Sequence, residues 1–252
     1  MLDYLDGLAQ ATTLDRVWAH HCEAMAGYGF DRLIYGYTRF GKPGGLGAFE
    51  DAVFLSNHDP EYFNRFIGER MFLQAPILRW ARENIGACSW GALWKNPERL
   101  SESERRVVAF NRAMNVNAGY SISFGGPGPR SFGLISMAAR AGLDQDDADR
   151  IWSENGRTIQ AMNNMAHLKI LSLPHTTMRG RLTARQREVL EWIGDGKSNQ
   201  DIAVILGVAL PTVEKHLRLA REKLGVATTA QAVLKAAFLN QIYLGAPNFT
   251  ES

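Results

Sequence analysis

Leu182-Thr183-Ala184-Arg185-Gln186-Arg187-Glu188-Val189-Leu190, then Gly196-Lys197-Ser198-Asn199-Gln200-Asp201-Ile202-Ala203, then Leu206-Gly207-Val208-Ala209-Leu210-Pro211-Thr212-Val213-Glu214-Lys215-His216-Leu217, and finally Lys223-Leu224-Gly225-Val226 carry the last quarter of the chain. The caps and periodicity predict short helices separated by sharp turns. Thr183 with Gln186 three residues on forms a capping box, after which Val189, Leu190 and Ile193 share one face up to the stop at Gly194–Gly196. Ser198 with Asp201 caps the next helix, whose apolar side holds Ile202, Ala203, Ile205 and Leu206. Gly207 supplies a tight turn, and Pro211-Thr212 opens a helix to about Leu224. A fourth helix is expected over 230–241. Two short helices about a glycine turn, the second carrying Lys215, Arg218, Arg221 and Lys223, form a helix-turn-helix pattern. A solvated helical bundle would share the basic face. The caps, turn and basic second helix together favour DNA binding.

Composition sets the frame around this stretch. The chain has 252 residues, 46% of them hydrophobic, enough for one large domain or two modest ones, and its formal net charge is only +2. Between Gly180 and Leu244 the basic residues Arg181, Arg185, Arg187, Lys197, Lys215, Arg218, Arg221, Lys223 and Lys235 outnumber the acids, as in a small DNA-contacting domain attached to a near-neutral one. Cys22 and Cys88 are the only cysteines and read as buried thiols in a reducing compartment. With no leader-like start and no membrane-length apolar run, a cytoplasmic location is expected.

The first two thirds alternate helices and strands. A helix is expected over 3–26, with His20 and His21 as surface or edge residues. A strand over 32–40 pairs with 52–56 across a Gly-rich turn, and helices follow over 60–70 and 76–83. Ser101 and Glu104 form another capping box, opening a helix to about Val116. Strands over 119–124 and 131–139 flank Gly125-Gly126-Pro127-Gly128-Pro129, and a long helix, 144–171, closes the region. The expected fold class is α+β: an N-terminal α-β-α sandwich over 1–171, a linker over 172–180, and a small all-α four-helix domain over 181–252. The aromatics Tyr35, Tyr37, Tyr62, Phe63, Phe66, Trp80, Trp90 and Trp94 can fill a core or line a pocket.

The C-terminal stretch resembles the DNA-binding domain of the LuxR family, whose pattern runs L-T-x-R-E-x-E-V-L, G-K-S, I-A, L-G, T-V-x-x-H, K-L-G-V. That resemblance implies that the second helix of the motif lies in the major groove. Glu214, Lys215 and Arg218, just after Thr212-Val213, then face bases, Arg218 as a guanine reader and Glu214 as an acceptor from cytosine. Arg221 lies on the same basic helix, and Lys197, Ser198 and Thr212 suit phosphate contacts. Val189, Ile202, Leu206, Val213 and Leu224 are expected in the core, with His216 as a packing residue. The chain departs from the family at Ala209, where a Ser usually caps the recognition helix, and at Thr229, near which an Arg is common.

The N-terminal region is similar to the family's autoinducer-binding domain through Gly119-Tyr120-Ser121-Ile122-Ser123, Gly126-Pro127-Gly128 and Phe132-Gly133-Leu134-Ile135-Ser136. The family's signal-contacting Trp, Tyr, Asp-Pro and Trp fall here on Tyr62, Phe66, Ala75-Pro76 and Trp90. Pro76, Trp90 and Gly119 are kept, whereas Phe66 lacks a hydroxyl and Ala75 cannot accept the ligand's amide proton. His58 and Ser136 stand where the family often places further polar contacts, and Tyr35 and Ile77 complete the expected ligand set. Three readings stay open: an acyl- or aryl-homoserine lactone held by His58, Tyr62 and Ser136; a less polar or aromatic signal; or a filled core needing no ligand. The implied partners are double-stranded DNA bearing an inverted repeat, a small-molecule signal, and a second copy of the chain, with residues 144–171 as the dimer surface. No cofactor, membrane or enzymatic role is implied, since no phosphate loop, triad or metal-ligand cluster occurs at working spacing.

Overall fold

The computed structural model describes residues 1–41, 47–94, 97–125, 128 and 130–243, without the side chains of Trp94 and Pro97. The two Gly/Pro-rich connections, in part, and the Trp94 side chain therefore lie outside the described residues. The chain forms two compact units whose main boundary falls between Ile170 and Leu171.

The first unit is built on a five-stranded antiparallel sheet of β1 (Phe30–Thr38), β2 (Val53–Ser56), β3 (Gly86–Ser89), β4 (Gly119–Phe124) and β5 (Phe132–Ala139). Their order is β2-β1-β5-β4-β3. Register makes a row across the sheet: Ser56 opposite Ile34, Ile34 opposite Ser136, Ser136 opposite Ser121, and Ser121 opposite Cys88. Directly opposed residues share a face. Ile34, Ser136 and Ser121 therefore point one way, and their neighbours Tyr35, Met137 and Ile122 point the other.

The second face is covered by α1 (Leu2–Gln10), α2 (Leu14–Gly27) and the long α7 (Gln145–Ser172). The single helix expected over 3–26 is thus two. The first helix ends at the extended Ala11, and the Thr13 hydroxyl accepts from the Arg16 N–H and caps α2 as a restart. Nor is His21 a surface residue. It is fully buried, with Nδ1 2.8 Å from the Tyr4 hydroxyl and Nε2 3.1 Å from Asn163 Oδ1 on α7. His20 is half-buried, stacked on Tyr4 with ring centroids 5.1 Å apart.

The first face is covered by α3 (Pro60–Phe63), α4 (Pro76–Glu83), α5 (Trp90–Trp94) and α6 (Glu102–Ala113). The helix expected over 60–70 is α-helical only to Phe63. Asn64–Gly68 is a π-turn, closed by the Glu69 N–H donating to the Asn64 carbonyl, and Arg70 follows in the left-handed region at φ 61°. Such π-segments re-aim side chains and recur at functional sites. This one stacks Phe66 on Tyr62, centroids 5.2 Å apart. The short edge strand β3 has no alternating pattern and was not expected. The Ser101–Glu104 capping box of α6 is formed in both directions.

The second unit holds α8 (Ala184–Gly194), α9 (Asn199–Leu206), α10 (Leu210–Leu224) and α11 (Thr229–Phe238). Capping boxes form at Thr183–Gln186 and Ser198–Asp201, as the sequence predicts, and another at Thr228–Gln231. Gly207 (φ 62°) and Gly225 (φ 64°) take left-handed C-cap positions that disfavour a Cβ. Val189, Leu190, Ile202, Val213, Leu217, Ala220 and Leu224 form the core, Leu206 being half-buried at its edge.

Candidate signal cavity and DNA-reading helix

Between the first sheet face and α3–α6 lie two adjoining chambers. One, the smaller, is lined by Ile34, His58, Tyr62, Phe66, Ala75, Pro76, Ile77, Trp90, Asn111, Val116 and Ser136. The other, the larger, is lined by apolar groups such as Phe54, Phe66, Ile67, Phe72, Leu78, Phe132 and Leu134. Among the described residues, neither wall carries an Asp, Glu, Lys or Arg side chain.

The expected ligand residues His58, Tyr62, Phe66, Ala75, Pro76, Ile77, Trp90 and Ser136 all stand on the smaller chamber's wall. Tyr35 and Gly119 are not brought there. The sheet's alternation turns Tyr35 to the opposite face, where its hydroxyl lies 2.8 Å from His167 Nδ1 on α7. Gly119 backs the site. A Cβ there would collide with the Met137 carbonyl and approach the Trp90 ring to 3.1 Å, so glycine lets β4 and Trp90 close together.

Hydrogen bonds give the smaller chamber a defined polarity. The Trp90 indole N–H donates to Ser121 Oγ at 2.8 Å, and Ser121 Oγ lies 2.7 Å from Ser136 Oγ. Ser121 is fully buried, and either hydroxyl can donate to the other. When Ser121 donates, Ser136 keeps its own proton for the chamber. The Tyr62 hydroxyl donates to Asn111 Oδ1 at 3.0 Å, and burial holds Tyr62 well above the ordinary phenol range, as a neutral group. Tyr62 is sandwiched between His58 (centroids 4.5 Å) and Phe110 (5.4 Å). Burial, reinforced by the nearby Arg32 charge and opposed by Asp31 and the Arg32 backbone, lowers His58 to about 4. Its imidazole is thus neutral at pH 7 and offers a nitrogen lone pair. Ser121 and Asn111 were missed in the sequence. The serines at 121 and 123, alternating in an otherwise apolar strand, were the available signal for the first.

On α10, Val213, Leu217, Ala220 and Leu224 are buried, at helical spacing. Glu214, Lys215 and Arg218 lie on the exposed side. Arg218 pairs with Glu222 at 2.7 Å, and both are more than half exposed, so the pair is worth at most about 1 kcal/mol and yields readily to a base. Arg221 is half-buried and donates to Thr229 Oγ1 at 3.0 Å, tying α10 to the start of α11. Lys197 is exposed beside the start of α9, and Thr212 is half-exposed in the first turn of α10. The Ser198 hydroxyl is engaged in its capping box, donating to Asp201 Oδ2 at 2.7 Å. Ala209 makes no side-chain cap bond. His216 is half-buried.

Comparison with known proteins accounts for both units. The family described as autoinducer binding domain matches residues 13–170, and bacterial regulatory proteins, luxR family, match residues 180–236. Transcriptional activator protein BjaR1 of Bradyrhizobium diazoefficiens is 26% identical over 237 residues, covering 93% of each chain. In fold, the chain is similar to Escherichia coli SdiA (TM-score 0.56, 16% identity, 96% of this chain and 97% of that one), a protein also solved with octanoyl-rac-glycerol. It is similar too to CepR2 of Burkholderia cenocepacia, described as an N-acylhomoserine-lactone-dependent LuxR-family factor (TM-score 0.54, 19% identity, 68% of this chain and 93% of that one). The chain belongs to the LuxR family of bacterial transcriptional regulators with an autoinducer-binding domain, a family of DNA-binding proteins rather than enzymes.

Proposed function

We propose that residues 1–171 sense an uncharged amphiphilic signal, an acyl- or aryl-homoserine lactone, and that residues 181–252, reached through the linker 172–180, read an inverted-repeat DNA site. The observation that carries this reading is the chamber itself: a charge-free wall with a polar end at His58, Tyr62, Asn111 and Ser136, opening onto an apolar space. In the proposed mode Ser136 donates to a ligand carbonyl, and the neutral His58 nitrogen accepts the amide proton that Ala75 cannot. Ligand burial then orders the sensor and fixes two copies at half-site spacing. Met165 (43% exposed) and Leu168 (58% exposed) on α7 continue the alternating three- and four-residue spacing of Thr158 and Ala161, which supports α7 as the seam between copies. At the DNA, Glu214, Lys215 and Arg218 face bases, and Lys197 and Thr212 contact phosphates. Ser198 helps through its backbone. Among the described residues no helix is long and apolar enough to cross a membrane, which is consistent with work in the cytoplasm.

A second reading, a non-lactone amphiphile, is favoured by Ala75, which removes the usual acceptor for a lactone's amide. The octanoylglycerol complex of SdiA makes a monoacylglycerol the natural comparison probe. A thermal-unfolding screen of the full chain against lactones of varied acyl and aryl group, with octanoylglycerol alongside, separates the two. At a hundred times its dissociation constant a ligand stabilises by about 2.7 kcal/mol. A shift with a lactone supports the first reading, and a shift with octanoylglycerol alone supports the second. A stable protein shifted by neither has a cavity that needs no signal.

A further inference from the structure

The two chambers share five lining residues: Ile34, Phe66, Ala75, Ile77 and Ser136. Three of these are bulky and two, Ala75 and Ser136, are small, so the wall that the chambers share is thinnest in side-chain bulk at those two residues. Ser136 is fixed by its bond to Ser121. Ala75 is fixed by its backbone. Pro76 confines the preceding residue to extended conformations, Ala75 adopts φ −73°, ψ 134°, and its N–H is held by the Phe72 carbonyl at 3.0 Å. Ala75 is also only 5% exposed. It borders an open groove beside Arg79 and Glu104, and a larger side chain at 75 turned inward would crowd the wall that the two chambers share.

We propose that Ala75 is the throat of a single two-chamber site: the signal's polar head sits in the His58–Ser136 chamber and its apolar tail passes Ala75 into the phenylalanine-lined chamber. Residue 75 thereby sets which tail lengths are accepted. This rests on the ligand-sensing reading above and adds to it a class of ligand, one whose tail reaches beyond the head chamber. A signal confined to the head chamber would leave the larger space unfilled and meet residue 75 only as part of that chamber's wall, with no dependence on tail length.

The test measures dissociation constants of butanoyl-, octanoyl- and dodecanoyl-homoserine lactone, and of octanoylglycerol, for the full-length wild-type, Ala75→Val and Ile77→Ala proteins, with unliganded unfolding midpoints as the check on folding. Ala75→Val is expected to weaken the octanoyl and dodecanoyl compounds at least tenfold while changing the butanoyl compound less than twofold. Ile77→Ala widens the same passage and is expected to shift preference toward the longest tail. It decides the matter on its own if Ala75→Val does not fold. Equal loss for all lengths, or an unchanged length profile in both variants, overturns the throat while leaving ligand sensing intact. If no probe binds the wild type, ligand sensing fails and the throat with it.

Discussion

Lowering the pH from 7.5 to 5.5 is expected to destabilise the sensor unit through three histidines that the fold keeps neutral. His21 lies between Tyr4 and Asn163, and His167 bonds to Tyr35 and stacks on Phe124 with centroids 4.2 Å apart. His58 stacks on Tyr62. Burial lowers each to about 4. The sign follows from linkage: a group whose folded value lies below its unfolded value binds protons preferentially in the unfolded chain. Its neutral form costs nothing at pH 7.5, and stability falls as pH drops through about 6.5 toward 4. At pH 5.5 the unfolded imidazoles are about nine-tenths protonated and the folded ones almost wholly neutral. Each site then removes on the order of 1 kcal/mol relative to pH 7.5, and the three together roughly 3–4 kcal/mol. Urea unfolding followed by tryptophan emission, to which Trp18, Trp90 and Trp152 of this unit contribute, measures the difference. His21→Gln, which keeps a donor toward Asn163, should remove about a third of the pH dependence. A loss below about 1 kcal/mol in the wild type would refute the assignment of these histidines as buried and neutral.

Other perturbations test other parts of the structure. Ser121→Ala orphans the buried Trp90 N–H and is expected to cost about 1–3 kcal/mol in urea unfolding, with weaker ligand affinity because Ser136 loses its orienting partner. Lys197→Ala should weaken DNA binding and flatten its dependence on log salt by about one unit, as loss of a phosphate contact does, whereas Arg221→Ala should leave the slope unchanged and lower stability instead. Leu168→Glu on α7 should shift sedimentation toward the monomer; an unchanged dimer places the seam elsewhere.

Legibility followed the range of the interactions involved. Capping boxes at Thr183, Ser198 and Ser101 act over three residues, and all three form as read. The alternation of β4 and β5 and the family spacing from Tyr62 to Trp90 were likewise enough to bring eight expected residues, His58 to Ser136, to one chamber wall. What escaped depends on partners far along the chain. His21 reads as an edge residue because Asn163, its partner, lies 142 residues away. Tyr35 was assigned to the cavity by its aromatic character, although the period of the strand turns it to the other face. Ser121 and Asn111 were invisible as site residues because their roles are to orient Ser136 and Tyr62.

The most direct test of ligand-controlled DNA reading is the affinity of the full chain for a duplex selected from random DNA, measured by fluorescence anisotropy at fixed salt with and without the most stabilising lactone. The account predicts a change of at least tenfold, and a selected sequence that is an inverted repeat. Equal affinity in both conditions would contradict it, leaving a DNA-binding protein whose cavity does not govern its partner.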